Sequence, residues 1–379
     1  MATYLDHISA DMLRWAIDRA GYELEEFLAK DEKWQEWVKG SRKPTYAQLR
    51  DFADRLHVNP LVLLGDSPPD ESLAMPYFRG AKATHKAPSL NVYDTIQLLQ
   101  LRQDWLSEYM ELELGFAPLP FVGSSTTHAE AIASIREVLK IPAGWQLRHR
   151  GAREALGFLV EQCEQQNIFI SSNGIVGNST GRPISVEECR GFALSDRYAP
   201  FIFLNARDAP VANLFTLAHE LAHIWMGRSA AHDNNAMVTD AASDPTERMC
   251  DLVAVELLMP EGMVRQYFSE GHSIEKAATH FRVSTIAMAR RAFEVGHIDR
   301  EKLERYFQNY REQRIELAAE PKSQKGGSFY PTAIKRIGRS FSRFVDSAVQ
   351  NHHLSHRDAY RLMGLRGKTY DTYIEKLGV

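Results

Sequence analysis

The sequence predicts an α+β protein, mostly helical with a small sheet, and three observations carry that expectation. Apolar residues recur at three- and four-residue steps through most of the chain, as in Met12, Leu13, Ala16 and Ile17. Only three stretches read as strands: Asn167 to Ser171, Gly191 to Ser195 and Pro200 to Asn205. Two linkers rich in Pro, Gly, Asp and Ser, Asp66 to Ser72 and Ile315 to Ser328, divide 379 residues into two or three domains.

Composition narrows the class. With 44% hydrophobic and 25% charged residues the chain resembles ordinary soluble protein, and global disorder is excluded. Cys163, Cys189 and Cys250 are widely spaced and odd in number, which is neither a disulfide framework nor a zinc ribbon and suits a reducing cytoplasm. No apolar run approaches spanning length and the first residues lack a basic region followed by an apolar one, so a cytoplasmic location without membrane contact is expected. The net charge of −4 is uneven: from Pro321 on there are eleven Lys/Arg against four Asp/Glu, so the first 320 residues carry −11. A basic tail on an acidic body points to a docking surface or a nucleic-acid contact.

Residues 1–66 form the first predicted domain, a run of short helices punctuated by Gly21, Gly40 and Pro60. Their order, with Arg42-Lys-Pro-Thr-x-x-Gln-Leu49, resembles the helix-turn-helix of Xre/Cro-type repressors. The third helix, where a groove reader needs Arg, Lys, Asn or Gln, instead holds Asp31-Glu-Lys-Trp34-Gln-Glu-Trp37, so a protein-docking or scaffold role is favoured over operator binding. Residues 67–125 hold the linker, a Met75-Pro-Tyr-Phe-Arg79 segment and a long helix from Val92 to about Glu113. Residues 126–270 are the predicted core: helices at His128 to Leu139 and Gly144 to Gln165, then the strands, then two helices of chemical interest.

In Thr216-Leu-Ala-His219-Glu220-Leu-Ala-His223-Ile-Trp225 the histidines are four apart, roughly 40° around a helix axis, and can offer two nitrogens to one ion. Leu214, Leu217, Ala218, Leu221 and Trp225 form the apolar stripe, and Glu220 projects close enough to reach a metal-activated water. Downstream, Asp244 and Pro245 start a helix that Pro260 ends. On it Glu247 and Asp251 share a face, while Glu256 points away. Glu247 can complete a His/His/Glu site with an open fourth position, or instead form a capping box with Asp244. Asp251 can fix a histidine tautomer from outside the coordination sphere.

His219-Glu-Leu-Ala-His223 followed by Glu247-x-x-Cys250-Asp251-x-x-Ala254-x-x-Leu-Leu-Met-Pro260 resembles the ImmA/IrrE family of metallopeptidases, with Cys250, Asp251 and Val253 departing from its usual Ala, Asn and Phe. The resemblance implies a zincin-like core, one Zn²⁺ per chain on His219, His223 and Glu247, and Glu220 as general base. By the same likeness Gly191, Phe192 and Ala193 are the candidate edge that pairs with an extended substrate, with an ordinary buried strand as the competing reading. His232 and Tyr198 are candidate transition-state donors. Residues 271–316 carry a second helix-turn-helix-like segment in which Ser284 is an N-cap and Arg290 and Arg291 leave DNA contact open, though support of the core is favoured. Residues 329–379 form a basic helical module, and His352-His353-x-x-His356 reads as a turn between helices.

The resemblance implies a zinc endopeptidase making limited cuts in a protein substrate, a helix-turn-helix repressor or antitoxin of a stress-response, phage or mobile-element system. A co-encoded protein is the expected partner. The alternative is a DNA- or partner-binding regulator whose peptidase activity is latent or absent.

Overall fold

A computed structural model describes residues 4–5, 8–69, 71, 77–78, 88–232, 244–319 and 328–378. They fall into two compact units, one of Met1–Ala74 with His85–Asp94, the other of Met75–Thr84 with Thr95–Val379. Among the described residues no helix is long and apolar enough to cross a membrane.

The first unit contains α1 (Ala10–Arg19), α2 (Leu24–Leu28), α3 (Glu32–Val38) and α4 (Tyr46–Arg55). Thr45 and Gln48 close a reciprocal capping box that starts α4. Trp34 and Trp37, expected on the groove-reading face of the third helix, are instead core residues, with rings 5.9 and 5.8 Å from Phe52. Two large rings are worth more buried in so small a domain than presented to water.

The second unit is built on β1 (Tyr77–Phe78), α5 (Leu90–Glu108) from Thr95 on, α6 (His128–Val138), α7 (Ala152–Gln165), β2 (Phe169–Asn173), β3 (Gly191–Leu194), β4 (Phe201–Asn205), α8 (Pro210–Trp225) and β5 (Ala230–His232). After these come α9 (Pro245–Leu258), α10 (Glu261–Ser269), α11 (Ile274–Phe281), α12 (Thr285–Glu294), α13 (Arg300–Ala319), α14 (Phe329–Ile337), α15 (Arg339–Gln350), α16 (His356–Met363) and α17 (Lys368–Leu377). Four expectations shift. The helix expected from Gly144 is a single 3-10 turn, Trp145–Arg148, and α7 begins only after Gly151. The long helix ends in a wider π turn, Tyr109–Glu113. β2 starts two residues later than read. Residues 315–319, expected in a linker, continue α13.

The strands form one mixed sheet in the order β1-β5-β3-β4-β2. β2 and β4 are parallel, whereas β3 is antiparallel to β4 on one side and to β5 on the other. Gly191, Phe192 and Ala193 are therefore not an edge, because Ala230–His232 supplies the missing neighbour and uses the hydrogen bonds a substrate would need. Alternation sorts the sheet into two faces. Ile170, Ala193, Ile202 and Leu204 enter the core with α8 and α9. On the other face Phe169 and Phe201 meet Phe344 and Phe341 of α15, and Gln103 of α5 donates to the carbonyls of Leu194 and Ala199. The basic tail thus covers a sheet.

Gly191 is where sheet and helix come closest. A Cβ there would lie 2.5 Å from Thr216 Cγ2 and 2.8 Å from the Phe203 carbonyl oxygen. Gly191→Ala is expected to destabilise by about 1–3 kcal/mol through overpacking, with β3 pushed off α8. A denaturant midpoint equal to wild type would show that the sheet yields freely.

Candidate metal centre

From Asn213 to Trp225 every residue of α8 is buried, so the helix is enclosed on all sides and its polar residues must find partners inside. His219 and His223 are therefore interior residues and not a solvated face. Neighbouring segments satisfy the end of the helix: Gly123 and Ser125 donate to the carbonyls of Ile224 and Trp225, and the Trp225 indole donates to Ser134. The Phe121 ring stacks on Trp225 with centroids 4.6 Å apart.

α9 begins as expected, with Asp244 accepting from the Thr246 amide and Pro245 in the first turn. Its far end is held by side chains from three other segments. Arg136 donates to the Glu256 carbonyl, Gln146 to that of Leu258 and Arg291 to that of Met259, and Arg291 also pairs with the Glu256 carboxylate. Carbonyls a helix leaves unpaired at its C-terminus are thereby bonded, two of them by cations where the helix dipole favours them. Arg291 is buried in this work, while Arg290 pairs with Glu294 at 3.6 Å, so the second helix-turn-helix-like segment, α11 and α12, braces the site.

Held in this way, the two helices bring the predicted residues together. His219 Nε2 lies 3.2 Å from Glu247 Oε2 and 3.2 Å from His223 Nε2, and His223 Nε2 lies 3.4 Å from Glu247 Oε1. Asp251 Oδ1 is 3.0 Å from His219 Nδ1, the nitrogen facing away from this triangle. The Glu247 carboxylate faces the histidines, and Asp244 caps the helix through the Thr246 amide, so no capping box forms. Ligand atoms on tetrahedral bonds of 2.0–2.1 Å stand about 3.3 Å apart, so the triangle has the edges a zinc-sized ion requires. Both Glu220 carboxylate oxygens are fully buried, with no hydrogen-bond partner among the described residues. An orphaned carboxylate beside an ion-sized triangle fits an activated water between them. The donor set fits the metal.

Charge is distributed to match. Burial raises Glu220 to about 8, with His219 opposing and Glu247 adding to the effect. Burial works against a charged His219, yet its bonds to Asp251 and Glu247 raise it to about 10, whereas His223 is lowered, first by burial. Burial opposes the charge on Glu247 as well, but its bonds to both histidines hold it far below the carboxylate range. One proton therefore belongs on His219.

One residue near this cluster escaped the sequence reading. The Cys250 sulfur and one ring nitrogen from each histidine lie within 4.8 Å of one another, which makes a second three-residue grouping. Its spacing from Glu247, three residues along the same helix face, was the available signal. Glu247 is better placed, since its oxygens are already at ligand-to-ligand distances, while burial raises the Cys250 thiol well above its ordinary value. Of the two remaining candidates, Tyr198 alone has a described side chain. Tyr198 donates its hydroxyl to Glu111, just beyond α5. The His232 backbone pairs with Gly191, but its side chain lies outside the described residues, as do residues 233–243.

Residues 180–293 match the IrrE N-terminal-like domain family. The match spans β3 to α12 and supports a metallopeptidase of the ImmA/IrrE type. A second match, residues 337–376, is to a domain of unknown function (DUF8813) and covers α15 to α17. No curated protein and no solved structure matches the chain.

Proposed function

We propose that the chain is a zinc-dependent endopeptidase that makes limited cuts in a protein regulator, with His219, His223 and Glu247 as ligands and Glu220 as general base. The observation that carries this reading is the 3.2–3.4 Å triangle of ligand atoms beside a buried carboxylate with no partner among the described residues. When bound, zinc supplies Lewis acidity that activates water and polarises a peptide carbonyl. Glu220 takes the proton of the attacking water on a carboxylate oxygen and passes it to the departing amine. A value of about 8 without the ion leaves that carboxylate basic enough once positive charge is nearby. Asp251 fixes His219 with Nε2 facing the triangle.

One observation favours the other reading, a partner-binding regulator with latent activity: the strand nearest Glu220 already has both neighbours, so an extended substrate must take the place of β5. Helix-turn-helix repressors and antitoxins encoded beside the gene are the substrates to test. Cleavage at one or a few bonds by zinc-loaded protein supports the peptidase. Stoichiometric complexes with intact partner support the regulator.

Metal affinity should climb with pH. The His219 charge stabilises the metal-free fold below about pH 6.5, and that contribution is lost as pH rises through about 10. An entering ion must displace this proton, so affinity is expected to rise about tenfold per pH unit between these limits. Competition with a chromophoric chelator reads the slope, and a flat profile would place the proton elsewhere.

A further inference from the structure

Away from the metal ligands, a groove of about 1200 Å³ is lined by α7, by the end strand β2 and by α14, α15 and α17. Small-molecule pockets hold roughly 300–1,000 Å³, so the space suits a stretch of polypeptide better than a metabolite. Leu156 and Val160 of α7 pack on the core yet stay half-buried, and Tyr330 and Ile334 of α14 are half-buried as well. The members of each pair stand four residues apart, so each helix presents one apolar strip to the groove.

Charge around these strips is one-sided. Arg153, Lys335, Arg339, Arg343 and Lys376 line the groove, against Glu161, Glu164 and Asp208. Two of the acids are already engaged: Asp208 lies 3.6 Å from Arg190, and Glu164 accepts from the Ser340 amide with Arg339 and Arg343 beside it. Arg153, Lys335 and Lys376 are exposed and form no ion pair among the described residues, which leaves three cations against Glu161 alone.

We propose that this groove docks an acidic segment of a partner protein, whose apolar residues seat on Leu156, Val160, Tyr330 and Ile334 while its Asp and Glu meet Arg153, Lys335 and Lys376. Apolar anchors supply the affinity in such a contact, and the surrounding charges select the partner and fix its register. The chain's own linker has the wrong chemistry: Glu320 to Gly327, which leads into the lining residue Ser328, holds two lysines, one glutamate and no large apolar side chain. Pro210 and Asn213 complete the lining, so a docked segment lies against the start of α8, the helix that carries His219 and His223. Such docking does not require the metal centre to cut peptides.

The test uses the full chain and a fluorescein-labelled peptide of Leu and Glu, with controls in which Lys replaces Glu or Ser replaces Leu. Saturable binding of the Leu/Glu peptide is expected, weakening as salt rises, with slower hydrogen exchange in α7 and α14. Both controls should bind more weakly. Combining Arg153→Glu with Lys335→Glu should cost the Leu/Glu peptide about tenfold in affinity and turn the preference toward the Leu/Lys peptide. The Tm should stay near wild type, because neither side chain has an acid to lose. Equal affinity for the Glu and Lys peptides, unchanged affinity in the doubly reversed variant, or protection confined to the first unit would each overturn the assignment. A dimer of the chain that the two reversals dissociate would give the groove to a second copy and overturn it as well.

Discussion

Glu220→Gln is expected to lower peptide-bond cleavage by about 10²–10⁴-fold while leaving one metal ion per chain. The expectation rests on position: Glu220 is buried on α8, next to His219, and neither of its oxygens bonds to any of the described residues. Gln preserves shape and removes the base, so the fold and the ligand triangle should survive. Metal analysis and cleavage of the partner regulator are measured on the same preparation. Loss of metal in this variant would make Glu220 a ligand, and undiminished cleavage would remove it from the chemistry altogether.

Glu247→Ala should have the larger effect on the ion itself. It deletes one corner of the triangle and leaves two imidazoles, so metal affinity is expected to fall by more than the 10–100-fold that loss of a supporting partner costs. Cleavage should fall with it. Cys250→Ala provides the comparison, because its sulfur is the other atom close to both histidines. It should retain one ion per chain. The reverse pattern, metal kept by Glu247→Ala and lost by Cys250→Ala, would exchange the roles of the two side chains.

The two assignments differed in how readable they were. His219 and His223 are related by helix geometry alone, which needs no knowledge of the rest of the chain. Glu247 lies 28 residues from His219, and its approach depends on how α9 packs on α8. The carboxylate spacing of Glu247 and Asp251 indicated a shared face, and the structure places both on His219, one on each ring nitrogen. Cys250 was overlooked because a buried cysteine reads as a small apolar residue until its neighbours are known.

The sheet was legible only in part. Phe201 to Asn205 is apolar enough to be read as a buried strand, but Ala230 to His232 has no strand pattern and pairs only because β3 offers it a free edge. The tryptophans of α3 were misplaced for a related reason, whereas Arg291 of α12 supports the core, the favoured of its two readings. Trp34, Trp37 and Arg291 are compatible with either a surface or an interior, and the choice depends on partners distant in sequence: Phe52 for the rings, Glu256 and Met259 for the guanidinium.

By itself the sequence determined what is periodic or local: the helical character, the caps at Thr45, Asp244 and Ser284, and the pair of imidazoles on one side of α8. Tertiary structure alone decided whether those imidazoles face a carboxylate or water, which strand lies at an edge, and that the basic tail lies over a sheet. Backbone spacing acts over one or two turns and is encoded in consecutive residues. Burial and charge pairing depend on which distant segments meet, and that is settled only when the whole core packs.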